Sequence, residues 1–127
     1  MTVTPTPTPR LLRNAALVFA GGAVGAGLRF ALTSLAPLGS MWTTLAINLV
    51  GAFALGVLTA IALRRGTEQL RLLLGTGLLG GFTTYSSFAF DVSALAAYGD
   101  LAWIVLAVAS LFVGFAFAAL GWRLGSA

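Results

Sequence analysis

Four long apolar stretches divide this chain, and with few exceptions its polar positions are confined to their ends. A helix needs about 20 mostly apolar residues to cross roughly 30 Å of hydrocarbon. The pattern predicts spans over about 11–35, 41–63, 70–97 and 101–124. The first stops before Pro37 and the second at Arg64-Arg65-Gly66, with short hairpins expected near Pro37 to Ser40 and Tyr98 to Asp100. Residues 1–10 read as a disordered tail, since Thr and Pro alternate from Thr2 to Pro9. The tail lacks the charged start of a secretory signal, so the first apolar run is expected to remain as a span. Residues 11–127 then form one four-helix transmembrane domain with no linker and no convincing repeat.

The third span carries the informative irregularity. It reads Gly80-Gly81-Phe82-Thr83-Thr84-Tyr85-Ser86-Ser87-Phe88-Ala89-Phe90-Asp91. Adjacent glycines followed by four hydroxyl side chains are poor helix formers. Within a bilayer, a helix break survives only where its freed backbone groups are buried in protein or line a polar cavity. A break from Gly80 to Thr84 is therefore expected, with the functional site beside it.

Composition narrows the class. The chain of 127 residues is 59% hydrophobic and 8% charged, with mean hydropathy +1.01. Soluble domains carry about 25% charged residues, so this is an integral, all-α membrane protein. Without Cys or His, and with Glu68, Asp91 and Asp100 as the only acids, hydrolytic and metal chemistry lack residues to run on. An enzyme is not expected. The net charge of +4 rests on seven scattered arginines. A nucleic-acid partner would need basic residues gathered on one face, and none is expected.

Six of those arginines fall on one side: Arg10, Arg13, Arg64, Arg65, Arg71 and Arg123. Excess arginine marks cytoplasmic loops, which places both termini in the cytoplasm and the protein in the cytoplasmic membrane. Small residues recur four apart at Gly21 and Gly25, Gly22 and Ala26, Ala52 and Gly56, Gly77 and Gly81, and Gly114 and Ala118. Such notches let helices approach closely and serve mostly as packing. Four helices alone enclose little room for a polar-lined pore, so an oligomer is expected.

Few side chains inside the spans can do chemistry. Arg29 lies within the first span, where an arginine costs roughly 2.5–3.5 kcal/mol on insertion scales and faces protein or water. It either snorkels to the interface, attracts an anion, or bonds the carbonyls of a broken helix. Asn48 interrupts the second span with two donors and an acceptor, which suit helix glue and ligand contact equally. Tyr85 and Phe88 share a face if helix resumes after the break. Their positive ring edges, with the Ser86 and Ser87 hydroxyls, form a surface able to dehydrate a small anion, although aromatics at this spacing are usually packing. Asp91 lies one turn beyond Phe88, at a depth the sequence leaves open. Ser110 is the clear polar group of the fourth span and by itself would bond back to its own helix.

In this combination and order the chain resembles the Fluc (CrcB) family of small fluoride channels along nearly its whole length after the tail. The matching motifs are Gly21-Gly22-x-x-Gly25-Ala26-x-x-Arg29-Phe30, Thr44-Leu-x-x-Asn48-x-x-Gly51, and Gly80-Gly81-Phe82-Thr83-Thr84-Tyr85-Ser86-Ser87-Phe88. The resemblance implies a dual-topology, antiparallel dimer that exports fluoride passively through two pores along the subunit interface. It implies a structural, untransported Na+ held by the backbone carbonyls of Gly80 and Thr83 from both subunits. It places the paired pore aromatics at Tyr85 and Phe88, the pore amide at Asn48, and a hydroxyl track at Ser86, Ser87 and Ser110. Arg29 takes the place of a vestibule or structural cation.

Three departures stand out: Tyr85 where Phe is usual, Leu106 where a tyrosine often precedes the fourth-span serine, and the six-to-zero arginine asymmetry. A chain that pairs with itself must insert both ways, whereas this bias favours one orientation. An oppositely inserted homologous partner therefore stands beside the homodimer. Two other readings remain. A proton- or cation-coupled small multidrug-type exporter would need a mid-membrane carboxylate, for which only Asp91 is available. A non-conducting partner subunit would account for the small residues but not for the break.

Overall fold

The computed structural model describes residues 8–36, 40–66, 68–99 and 101–127, except the side chains of Ser40 and Ala102. The Thr-Pro tail before Thr8, Pro37 of the first hairpin and Asp100 of the second lie outside the described residues. Every regular element among those described is helical: α1 (Pro9–Leu35), α2 (Ser40–Arg65), α3 (Glu68–Leu70), a π-helix (Arg71–Leu79), α4 (Gly80–Phe82), α5 (Tyr85–Ala97) and α6 (Ala102–Ser126). Among the described residues α1, α2 and α6 are each long and apolar enough to cross a membrane, and the stretch from α3 to α5 covers the segment expected as the third span.

Local chemistry sets the helix ends. Thr8 caps α1, its hydroxyl oxygen accepting from the Leu11 N–H at 3.4 Å, and Pro9 occupies the first turn where no donor is needed. Helix therefore begins within the stretch expected as tail. α1 gives way to extended backbone at Ala36, the conformation a following proline imposes. Left-handed glycines follow α2 and α5, Gly66 with φ 63° and Gly99 with φ 71°.

The helices associate in two tight pairs, α1 with the π-helix and α4, and α2 with α6. Glycine makes both possible. A methyl group on Gly21 would strike the Leu73 carbonyl, and one on Gly25 the Leu78 carbonyl. Across the other pair, Gly56 lies against the Ala118 carbonyl and Gly121 against that of Phe53. Backbones this close gain dispersion and exclude lipid, which is how helices associate without a hydrophobic drive between them. Gly114 differs: a methyl there would meet nothing within 4 Å.

The third span departs from expectation in two ways. Its first half is π-helical over Arg71–Leu79, where the sequence predicts ordinary helix. Gly80 and Gly81, expected in the break, are helical, and the chain opens at Thr83 and Thr84 instead. Of the pair, Gly81 serves close approach: a methyl there would strike the Gly22 carbonyl of α1.

The arginines of helix ends gather at one end of the bundle and partly tie it together. Arg10 pairs with Glu68 at 2.6 Å, and Arg64 donates to the Ser126 carbonyl at 2.9 Å, joining the ends of α2 and α6.

Candidate functional site

The break is made by two side chains. The Asn48 Nδ2 donates to the Thr84 carbonyl at 3.0 Å, and the Thr84 N–H donates to Asn48 Oδ1 at 2.8 Å. One amide thus satisfies both backbone groups of the residue that interrupts the helix. Thr84, buried and extended with φ −146° and ψ 116°, caps the helix that follows. Its hydroxyl accepts from the Ser87 N–H at 3.2 Å, donates to the Ser87 hydroxyl at 3.1 Å and lies 3.3 Å from that of Ser86.

The carbonyls of Gly80, Gly81 and Thr83 lose their α-helical donors in this arrangement. The Thr84 N–H would otherwise bond Gly80, and the Ser87 N–H would bond Thr83; both go elsewhere. The Gly81 carbonyl is retaken by the Arg29 side chain, whose Nε donates at 3.3 Å. Of the sequence readings for Arg29, this contact favours bonding the carbonyls of a broken helix. No replacement donor reaches Gly80 or Thr83 among the described residues. Bare carbonyl oxygens are hard, neutral ligands, so these two positions fit a small cation better than an anion. They remain two from one chain, and a complete cage needs more oxygens.

Beside the break lies an open cavity of about 410 Å³. Asn48, Gly80, Thr83, Thr84, Tyr85, Phe88 and Ser110 reach it from four helices and the break. Tyr85 and Phe88 share its wall, with Tyr85 82% exposed. A second, nearly apolar cavity of about 550 Å³ adjoins it, shares Leu45, Leu49 and Ser110, and is lined by Leu106.

Not every candidate joins this wall. Ser86 and Ser87 are engaged with Thr84 and do not line the cavity, and Arg29 stands on the other side of the break. Ser110 lines the cavity but donates its proton to the Leu106 carbonyl at 2.6 Å. Two residues go beyond the sequence reading. Thr84 was legible as a hydroxyl cap three residues before Ser87. Asp91 has a buried Oδ2 without a hydrogen-bond partner among the described residues, one turn past Phe88.

Comparison with known proteins supplies the family. A family described as CrcB-like protein, camphor resistance (CrcB), matches residues 16–122. A fluoride-specific ion channel FluC from Mesorhizobium japonicum is 42% identical over 115 residues, 80% of this chain and 92% of that protein. A protein of the same name from Thermus thermophilus is 40% identical over 117 residues, 87% of this chain and 94% of its own length. From Leifsonia xyli, a fluoride-specific ion channel FluC 2 is 42% identical over 123 residues, 91% of this chain and 85% of the relative.

Proposed function

Because the chain belongs to the CrcB family, we propose that it is a fluoride-specific ion channel, giving passive export of fluoride across the cell membrane, and not an enzyme. The observation that carries the mechanism is the Asn48 clasp on Thr84, which opens the third span beside a cavity walled by Tyr85 and Phe88. With Oδ1 and one N–H of the amide committed to Thr84, the second N–H of Asn48 is left to donate to a passing anion. The ring edges of Tyr85 and Phe88 offer weak positive charge that replaces water gradually without trapping the ion. Ser86, Ser87 and Ser110 extend the track; the Ser110 hydroxyl must turn from the Leu106 carbonyl to donate, whereas that of Ser87 accepts from Thr84 and keeps its own proton.

The carbonyls of Gly80 and Thr83 would hold the structural Na+, completed by the same carbonyls of a second chain. Bound there, the ion supplies fixed positive charge that balances the freed carbonyl oxygens. The wide cavity mouth and the exposed Tyr85 support a partner seated across it. An antiparallel arrangement brings two such breaks together. The partner is a second copy or a homologous chain inserted the opposite way, and the arginines gathered at one bundle end favour the latter, with both termini of this chain cytoplasmic.

The test is fluoride efflux from liposomes containing the purified chain alone, read by a fluoride electrode, with chloride efflux as control. Fast, pH-independent, fluoride-selective flux establishes the channel and self-pairing together. Silence from well-folded protein, restored by an oppositely inserted homologue, assigns the heterodimer. Flux that follows an imposed proton gradient would instead make the protein a coupled exporter.

A further inference from the structure

We propose that a cleft at the arginine end of the bundle binds an anionic phospholipid, taking the headgroup at its lip and an acyl chain along its floor. The cleft lies between α1 and the start of the third span and encloses about 590 Å³. Leu17, Leu70 and Leu73 give it an apolar wall, while Gly66, Glu68 and Gln69 form a polar edge. Its size falls in the range of about 300–1,000 Å³ that suits a small molecule.

Charge decides which amphiphile. Glu68, the one acid at the edge, is neutralised by Arg10 at 2.6 Å. Arg13 shares the α1 face of Arg10 and Leu17, lying three and four residues from them. It is exposed and has no hydrogen-bond or ion-pair partner among the described residues. A guanidinium fork matches phosphate oxygens in two parallel hydrogen bonds. Four residues of helix separate Arg13 from Leu17, about 6 Å along the axis. A phosphate held at Arg13 therefore brings the first acyl carbons level with Leu17. The nearby Arg64, Arg65 and Arg71 raise the local concentration of anionic lipid. The cavity lined by Met41 and Trp42, at the end of α2 away from Arg64, is of similar volume, about 550 Å³, and has no charged residue in its wall. It gives no reason to select a headgroup.

Native mass spectrometry of the full chain in mild detergent tests this without reference to ion flux, so its failure leaves the channel reading standing. Phosphatidylglycerol and phosphatidylcholine with identical acyl chains are the probes. The unaltered chain is expected to retain phosphatidylglycerol about fivefold better, and Arg13→Gln to remove that preference. Arg123→Gln changes the same charge on α6, away from the cleft, and is expected to leave the preference intact. Leu73→Trp fills the cleft and is expected to reduce retention of both lipids; Gln69→Trp replaces Arg13→Gln if that variant does not fold. Equal retention of the two lipids by the unaltered chain overturns the proposal. So does equal loss in Arg13→Gln and Arg123→Gln, which would make the effect diffuse surface charge. Complete displacement by an equal concentration of glycerophosphoglycerol would show a headgroup site needing no acyl chain, and likewise overturns it.

Discussion

The two halves of the third span are built to different rules. Before the break, Gly75 and Gly77 are buried and the backbone presses directly on α1. After it, α5 has no buried residue, and Phe90 is 72% exposed. The first half is held by backbone contacts that tolerate no added atom. The second carries aromatics and hydroxyls and awaits cover from lipid or a partner chain. Rigidity on one side of the break leaves the other side free to present chemistry.

The largest effect is expected on the packed side. Gly25→Ala forces a methyl into the Leu78 carbonyl, and overpacking of this kind costs about 3 kcal/mol. Thermal stability and a monodisperse elution peak should both be lost, whereas Gly27→Ala, with nothing within 4 Å, should behave as the unaltered chain. A stable Gly25→Ala protein would erase the contrast between the halves.

At the junction, Asn48→Asp keeps the acceptor for the Thr84 N–H but loses the donor to its carbonyl and adds negative charge. Fluoride flux should fall about 10- to 100-fold, as expected for leaving a partly buried group unpaired. Unchanged flux would remove Asn48 from the pathway. On the open side, Phe88→Ile keeps bulk without a polarised edge, and flux should drop about threefold to tenfold while assembly persists. Normal conduction would defeat the ring-edge mechanism here. The smallest change is expected for Ser110→Ala. Its hydroxyl must leave the Leu106 carbonyl before it can donate to fluoride, which offsets most of its contribution, so a fall of only about twofold is the outcome that liposome efflux should record.

The membrane-spanning helices α1, α2 and α6 were legible because a bilayer imposes length and hydropathy on any helix that crosses it. The region of the site was legible too, since hydroxyls beside glycines inside a span are costly without a use. Its construction was less so. Gly80 and Gly81 read as helix breakers, yet both are helical, Gly81 lies against α1, and the break falls at Thr83 and Thr84. Asn48, weighed evenly between glue and ligand contact, is the residue that clasps the break from 36 positions away. No local pattern reports such a pairing.

The sequence by itself determined that this is a membrane protein of helical spans, polarised by arginine toward one end, with an irregular third span. Those properties follow from the solvent, which acts on each segment separately. Only the tertiary structure decided which carbonyls go unpaired, which hydroxyls are already engaged, and that Arg29 serves the backbone of the break. Each of those outcomes depends on a donor and an acceptor brought together from different helices, and that meeting is fixed by glycine packing rather than by hydropathy.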